Sequence, residues 1–429
     1  MEEWKWIYEQ PYNYLKTDMN KRTIITVLSI LIVGTSYGQR TVEKQVTLEN
    51  KSKIEQENYP VSVDIRNAFG DGTDVKSALV RLDGVEIPCQ IDDLDGDRRP
   101  DEVFFLASLP KKSKQTYNIT LSDFGSARHY EPRVYTDLML TNKKIKETNK
   151  QDLYISQLTV DRDVNPYWML HHHGCAFENE LVAYRIYFDH RQTVDIYGKY
   201  RKGLELKATQ FYPDNNQKAA GYGDDVLWVG ETFGLGTLRG WDGNAPTMIK
   251  DVEHRGQRIV ARGPLRTIIE VYDEEWLPTG ATTPVTMTTH YTLYAGRRDC
   301  RVDVGFSRDV ADLKFATGII NVKNSTEFSD KQGLRGCWGT DWPVSEKDSA
   351  GHKRETVGLG ICIPSKNVVS ELPANKDNYP YVIGVPGRSL TYYITFGSDN
   401  ESFGVHSAKE WFDCLVEWKK MLNAVVERQ

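Results

Sequence analysis

The feature that most constrains this fold is a long series of short segments in which apolar and polar residues alternate. Runs such as YPVSVDIRN and SKQTYNITLSD recur between residues 42 and 121, separated by turn residues. Beyond residue 151 the same pattern returns in runs such as LVAYRIYFD and TPVTMTTHYTLYA. Alternation with a period of two places successive side chains on opposite faces of a β-strand. Short strands joined by turns favour antiparallel sheets.

The positions of these runs predict an all-β protein with two parts. Residues 39–130 are predicted to form a small N-terminal β-sandwich, and residues 131–429 a large antiparallel β-sandwich. The polar stretch from Thr141 to Gln151 is predicted to be an exposed linker or a long loop. The 10 Trp, 23 Tyr and 14 Phe side chains agree with this prediction, because aromatic residues favour pleated surfaces.

Near the C-terminus the period changes from two to that of a helix. Apolar residues recur there at spacings of i, i+3, i+4, i+7 and i+11, and they are Trp411, Cys414, Leu415, Trp418 and Leu422. Ser407 followed by Glu410 has the pattern of a capping box. We therefore predict a C-terminal helix whose apolar face packs against the sandwich.

Residues 1–38 are predicted to lie outside the mature fold. Residues 1–18 are interpreted as an over-called start, and the rest as a signal peptide with a basic region, an apolar run from Ile24 to Val33 and small residues before Gln39. The run is too short to span a bilayer core of roughly 30 Å. We expect a periplasmic protein, with secretion as the alternative, and no membrane anchor.

Charge and cysteine content exclude some classes of protein. Lys and Arg number 54 against 60 Asp and Glu, which gives a net charge of −6 and argues against a nucleic-acid partner. Six widely spaced Cys in a chain of 429 residues do not form a disulfide framework, and no pairing is predicted.

The densest group of chemically active side chains lies in the segment 165–203, which contains HHHGCAFENELVAYRIYFDHR. One interpretation is a cleft in which a His or Tyr moves protons while Arg or Lys holds an anion. A metal site at His171, His173 and Glu178 is a second interpretation, although the spacing matches no standard zinc motif. A structural His-rich loop is the third.

Two further segments have possible roles. The Gly-rich and Trp-rich segment 217–243 suits a sugar-binding surface, or else turns and core. The segment DDLDGDRRPDE resembles a calcium loop, but Arg98 and Phe104 replace the Gly and Glu that a complete EF-hand loop needs. A solvated acidic turn is favoured over a structural calcium site, whose ligands would be Asp93, Asp95, Asp97 and Asp101.

Three segments, HHHGCAFENELVAYRIYFDHRQTVDIYGK, GYGDDVLWVGETFGLGTLRGWDG and QIDDLDGDRRPDEVFFLASL, resemble a Bacteroidota polysaccharide-utilisation family catalogued as a domain of unknown function (number 4861). The resemblance covers nearly the whole mature chain, and the characterised relative that the chain most resembles is the ulvan oligosaccharide dehydratase. It implies a mutarotase-like supersandwich as the large part. It also implies removal of water across C4–C5 of a non-reducing-end glucuronate or iduronate, in ulvan-type sulfated oligosaccharides, to give a 4,5-unsaturated uronate.

That reaction requires a base for the C5 proton, an acid for the departing hydroxyl and a cation for the carboxylate, but no organic cofactor. From side-chain chemistry we predict His172 or His173 as base and Tyr184 or Tyr222 as acid. The predicted substrate-binding residues are Arg185, Lys199, Arg201, Arg239 and Trp241. The alternatives are a non-catalytic carbohydrate-binding protein and a polysaccharide lyase that cleaves a uronosidic bond. The expected partner is an anionic oligosaccharide, and no oligomeric state is predicted.

Overall fold

The computed structural model describes residues 38–141, 153–424 and 426–428. The predicted signal peptide and nearly all of the predicted linker lie outside these ranges, so both stay predictions. In the described part of the chain, no helix is long and apolar enough to cross a membrane.

The N-terminal sandwich consists of two antiparallel sheets. The first contains, in spatial order, β29 (Val426–Arg428), β1 (Thr41–Asn50), β7 (Lys114–Ser122), β3 (Ser77–Leu82) and β4 (Val85–Ile87). The second contains β2 (Gln56–Asp64), β6 (Glu102–Leu109) and β5 (Cys89–Asp92). Alternate apolar residues such as Val46, Val63 and Phe105 fill the space between the sheets. The edge strand β29 comes from the far end of the chain, which the sequence assigned to the large part.

The large sandwich is built on a long antiparallel sheet. Within the described residues its order is β11 (Gln157–Asp161), β18 (His254–Arg262), β19 (Arg266–Trp276), β20 (Val285–Tyr294), β21 (Cys300–Phe306), β28 (Ser389–Ser398), β25 (Glu355–Cys362), β24 (Leu334–Asp341) and β23 (Thr326–Ser329). A short pair, β9 (Met139–Leu140) and β10 (Leu153–Tyr154), lies apart from it.

Two further antiparallel sheets share a core with this long sheet. One, called the site sheet below, contains β15 (Asp224–Asp225), β14 (Val194–Gly198), β13 (Ala183–Tyr187), β12 (Gly174–Asn179) and β8 (Val134–Asp137). The other contains β17 (Pro246–Thr247), β16 (Arg239–Trp241), β22 (Lys314–Ile320), β27 (Asn378–Gly384) and β26 (Val368–Glu371). One continuous apolar core joins all three, with Ile196, Ile269 and Tyr381 among its members.

Helices are few in the described residues, and the longest is the predicted one. The short helices α1 (Leu206–Thr209) and α2 (Asn215–Ala219) follow the site sheet, and α3 (Ala408–Leu422) lies near the C-terminus. Ser407 caps α3 by accepting a hydrogen bond from the Glu410 amide. The buried face of α3, which carries Trp411, packs against β24 and β25. The predicted all-β fold, with a small sandwich, a large sandwich and a C-terminal helix, is confirmed.

Buried polar contacts join the two sandwiches. Arg266 of the long sheet donates hydrogen bonds to Asp92 and Glu102, and Gln90 accepts one from the Leu265 amide at 2.8 Å. All six cysteines are unpaired thiols, and only Cys414 is exposed.

Candidate functional site

The candidate site begins at the turn that leads into β12, at one end of the strands of the site sheet. His173 adopts φ of +72° there, a conformation that is uncommon outside glycine. The next residue must be Gly174, because a Cβ at that position would lie 1.8 Å from the Ile186 carbonyl oxygen. The Phe188 amide donates to the His173 carbonyl at 2.8 Å and ties this turn to the end of β13. Strained backbone held by such contacts occurs preferentially at functional sites.

The His173 ring is held in one orientation and one tautomer. It stacks on the Tyr167 ring with centroids 3.9 Å apart, and its Nδ1 lies 3.0 Å from the Tyr167 carbonyl oxygen. A carbonyl oxygen only accepts, so Nδ1 carries the proton and Nε2 keeps its lone pair. Burial lowers the pKa of His173 to about 4, so the ring is neutral at neutral pH. Nε2 is therefore a proton acceptor.

A buried guanidinium lies beside this histidine, on the outer face of the site sheet. Arg185 donates to Asp195 Oδ2 from Nε at 2.9 Å and from Nη2 at 2.6 Å, and Nη2 also donates to Asp225 Oδ2 at 2.9 Å. The Tyr187 hydroxyl donates to Asp195 at 3.0 Å. Burial, and then the Asp195 charge, raise the pKa of Asp225 well above its usual range. Most of the Arg185 donors are thus engaged within the protein.

A further contact of Arg185 positions a tyrosine hydroxyl. Nη1 donates to the Tyr212 hydroxyl at 2.6 Å, and Gln210 and Phe211, both with positive φ, turn the chain so that Tyr212 reaches the site. Burial raises the pKa of Tyr212, so the phenol keeps its proton at neutral pH. Because this oxygen accepts from Arg185, its own proton can be donated elsewhere. The Tyr212 side chain is 45% exposed, and its ring centroid lies 6.5 Å from that of His173.

Aromatic and cationic groups line the rim of the site. Trp168 is 66% exposed and meets the Tyr167 ring edge-on at 4.9 Å. The Arg191 guanidinium lies 4.7 Å from the Tyr167 ring centroid and 5.0 Å from that of Tyr187. The rim therefore combines an exposed aromatic surface with a cation, which suits a ligand that has both an apolar face and a negative charge.

Comparison with known proteins identifies the family. A family model described as a domain of unknown function (DUF4861) matches residues 48–427. The chain belongs to this family. The match includes every residue of the site described above. No curated protein matches the sequence.

Two solved structures from Enterococcus faecalis have a similar chain course at low identity. One is a protein in the glycosyl hydrolase family 38, with 10% identity, a TM-score of 0.47, and coverage of 90% of this chain and 47% of that chain. The other is an alpha-mannosidase from strain V583, with 10% identity, a TM-score of 0.46, and coverage of 90% and 46%. The DUF4861 chain thus spans about half the length of these proteins.

The two predicted base candidates of this DUF4861 protein lie in different surroundings. His172 is buried, with Nε2 at 2.8 Å from Asp137 Oδ1 and Nδ1 at 3.0 Å from the Gly174 carbonyl oxygen. Both of its ring nitrogens therefore face protein groups. Only His173 of the pair has a nitrogen left for a substrate, since its Nδ1 alone is engaged by the described residues.

The predicted acid Tyr184 lies inside the apolar core. Its ring stacks on Phe177, and its hydroxyl donates to the Arg298 carbonyl oxygen at 2.9 Å. Burial raises the pKa of Tyr184 well above its usual value. This placement argues against contact with a substrate.

The predicted substrate-binding Lys199 is fully buried. Its Nζ donates to the Glu178 carboxylate and to the Asn179 carbonyl oxygen. The same carboxylate accepts from the amides of Glu205 and Leu206, at the start of α1. This ion pair therefore fastens α1 to the site sheet and is closed to a ligand.

Arg239 is also buried and acts on the site through the backbone. It donates to the carbonyl oxygens of Glu231 and Thr232 at 2.6 Å and of Arg191 at 3.3 Å. Burial lowers its pKa to about 10, so it remains charged at neutral pH. Arg239 thus holds the loop that carries Arg191.

The other predicted residues lie elsewhere on the sandwich. Exposed Arg201 lies 5.1 Å from the Tyr222 ring centroid and forms a surface pair with it. Trp241 is partly buried at the end of β16. Within the described residues, none of these three forms a hydrogen bond, ion pair or ring contact with His173.

Several residues of the site were not predicted from the sequence. Tyr167 and Trp168 lie four and three positions before His171, so their closeness to the three histidines was a signal that could have been used. Asp195 and Arg191 also lie in the segment 165–203, which contains the histidines. Tyr212 lies outside both quoted segments, and nothing in its local sequence marks it.

The two metal hypotheses differ in their geometry. Oxygen atoms of Asp93, Asp95 and Asp101 lie within 4.8 Å of one another, whereas Asp97 is outside this group. Both oxygens of Asp93 accept backbone N–H groups of the same loop, which is what a solvated acidic turn does without an ion. Calcium binding there stays a prediction. The set His171, His173 and Glu178 does not form a metal-binding group in the described residues.

Proposed function

We propose that this DUF4861 protein is a dehydratase, a carbon–oxygen lyase. It removes water across C4–C5 of a non-reducing-end glucuronate or iduronate in ulvan-type sulfated oligosaccharides and leaves a 4,5-unsaturated uronate. One observation carries the proposal. A neutral histidine with an available Nε2, His173, lies beside a protonated phenol, Tyr212, that Arg185 holds in place.

In the proposed step, His173 Nε2 accepts the C5 proton. The electron pair of the C5–H bond forms the C4=C5 double bond as the C4–O bond breaks. Tyr212 donates its proton to the departing hydroxyl, which leaves as water. Hydroxide is a poor leaving group, so this proton transfer lowers the barrier. Solvent then returns the proton from His173 to Tyr212.

Charge stabilisation is the second requirement of the step. Negative charge develops on the uronate carboxylate as the C5 proton leaves, and a preorganised cation stabilises it. We assign this role to Arg191, which is 17% exposed at the rim and is oriented by Asp189, a carboxylate that accepts from its Nε at 2.8 Å and its Nη2 at 2.6 Å. Arg185 serves instead as a positioning residue for Tyr212, because its guanidinium is buried and is shared by two carboxylates, those of Asp195 and Asp225.

Mass spectrometry of the products tests the proposal. The purified protein is incubated with defined saturated oligosaccharides that end in glucuronate or iduronate. Loss of one water without chain shortening is the expected result, with a matching rise in ultraviolet absorbance from the conjugated double bond. His173→Asn and Tyr212→Phe serve as matched variants that should slow the appearance of both signals by at least about 100-fold. An unchanged mass spectrum for every uronate-terminated substrate would refute dehydration.

The exposed Trp168 and Tyr212 rings equally favour the alternative of a non-catalytic carbohydrate-binding protein. That function predicts binding with no change in ligand mass. A polysaccharide lyase would use the same base and cation but expel a sugar, so it would give two shorter fragments. The same spectrum therefore separates all three functions.

A further inference from the structure

A second aromatic cleft lies beyond β15, away from the His173 turn. Its volume is about 370 Å³, within the range of about 300–1,000 Å³ for small-molecule sites. Its lining includes Trp228, Lys323, Asp341, Trp342, Glu346 and Lys347. Trp228 is 46% exposed, a large apolar area to leave in water.

The walls of this cleft are tied together by backbone contacts. The Trp228 amide donates to the Trp342 carbonyl oxygen at 3.0 Å. Asp341 accepts from the amides of Trp342 at 2.8 Å and Lys323 at 3.2 Å. The two indoles are therefore presented on a loop pair whose geometry is set before any ligand arrives, which reduces the entropy lost on binding.

The polar groups of the cleft favour a ligand with hydroxyl groups. Lys323 and Lys347 balance Asp341 and Glu346, so the lining has no excess of either charge. An exposed ring face beside mixed donors and acceptors matches a pyranose ring, which has both a C–H face and hydroxyls.

The chain connects this cleft closely to the catalytic candidate site. Asp225, whose carboxylate accepts from Arg185, precedes Trp228 by three residues. Three residues span at most about 11 Å between Cα atoms. The cleft therefore lies next to the Asp225 side of the candidate site.

We propose that the cleft between Trp228 and Trp342 is a distal sugar-binding subsite. It holds a pyranose ring of the same oligosaccharide whose uronate end lies at His173. Its assignment to the substrate rests on the proposed function, whereas its ability to bind a sugar does not.

Calorimetric titration of the His173→Asn protein tests this subsite without turnover. The probes are a disaccharide and a tetrasaccharide that both end in glucuronate. We expect Trp228→Ala in this background to weaken tetrasaccharide binding about tenfold, the scale of losing one central aromatic contact, and to leave disaccharide binding unchanged. Trp228→Tyr, which keeps a ring, should give a smaller loss. Phe124→Ala is the matched control, because Phe124 is 38% exposed on the N-terminal sandwich.

Equal tetrasaccharide affinity for the Trp228→Ala and Phe124→Ala proteins would overturn the subsite. Thermal unfolding of each variant verifies that the fold is kept, and Trp228→Tyr decides the matter if the alanine variant unfolds. The outcomes for the two proposals are separate. Length-dependent binding without loss of water would keep the subsite and refute dehydration. Dehydration with no effect of either Trp228 variant on tetrasaccharide binding would keep the dehydratase proposal and refute the subsite.

Discussion

The His173 ring lies flat on the Tyr167 ring at 3.9 Å, while its Nδ1 lies 3.0 Å from the Tyr167 carbonyl oxygen. One residue thus fixes both the orientation and the tautomer of the histidine. The free Nε2 is a consequence of this contact and is the basis of the proposed chemistry.

Replacing His173 with Asn should lower kcat/KM for dehydration by about 100-fold to 10,000-fold, the range for a general base. The reason is that the amide cannot accept the C5 proton. Product absorbance under initial-rate conditions measures the change. His406→Asn is the control, since that side chain is exposed and pairs with Asp399. A His173→Asn protein with the activity of the control would remove His173 from the mechanism.

The pH dependence of activity should report the same histidine. Its pKa is lowered from 6.5 to about 4, so the basic form persists down to that pH. We expect kcat/KM to fall only as the pH drops through about 4, provided that the protein remains folded. An acid limb near 6.5 would contradict the buried, stacked environment of the ring.

The lowered pKa of His173 should also make the free energy of unfolding rise with pH. Between about pH 4 and 6.5 the unfolded chain binds a proton at His173 that the folded protein does not, so the free energy of unfolding rises with pH across this window. His173 therefore contributes stability that is present above pH 6.5 and lost as the pH falls through the folded pKa. Urea unfolding at several pH values measures this dependence. Between pH 4 and 6.5 the free energy of unfolding should change less with pH for His173→Asn than for the wild type, and an equal change would count against the lowered pKa.

Tyr212→Phe and Tyr184→Phe should separate a proton donor from a core tyrosine. We expect Tyr212→Phe to lower kcat by at least about 100-fold, because the departing hydroxyl loses its acid. Tyr184→Phe should retain activity and lose about 0.5–1.5 kcal/mol of unfolding free energy, since only its bond to the Arg298 carbonyl oxygen disappears. Steady-state kinetics and urea unfolding measure the two effects. The opposite pattern would restore Tyr184 as the acid.

Lys199→Met should destabilise the protein by about 3–5 kcal/mol, because it leaves the Glu178 carboxylate buried without its cation. Lys409→Met provides the matched control. Lys409 also pairs with a carboxylate, that of Asp413, but it is 86% exposed, so its loss should cost less than about 1 kcal/mol. Denaturant unfolding compares the two variants. Equal stability would contradict a structural role for Lys199 and favour its predicted role in substrate binding.

Strand alternation agrees with the two faces of β13. In β13, Tyr184 and Ile186 point into the core, whereas Arg185 points to the opposite face. The pattern separates the two faces because side chains alternate along any strand. It does not show which face is covered by further chain. Arg185 is buried under the Phe211 ring, whose centroid lies 4.1 Å from the guanidinium carbon, and for this reason we propose a positioning role for it instead of the predicted clamp.

The three adjacent histidines show a similar limit. Local sequence offers no reason to prefer His172 or His173, since both lie in the same run. The choice depends on Asp137 of β8, which faces His172, and on Tyr167, which stacks on His173. Asp137 lies 35 positions before His172 in the sequence, and only the pairing of β8 with β12 brings the two together.

By itself, the sequence determined the β-sandwich class, the C-terminal helix from Ala408 to Leu422 and the region of the chain that carries the histidine site. These features depend on residue spacing, and spacing alone decides which side chains share a strand face or a helix face. The tertiary structure decided the partners: Tyr212 and Asp225 on Arg185, and Trp342 beside Trp228. Such pairs form where separate segments pack together, and no fixed spacing in the sequence encodes which segments will meet.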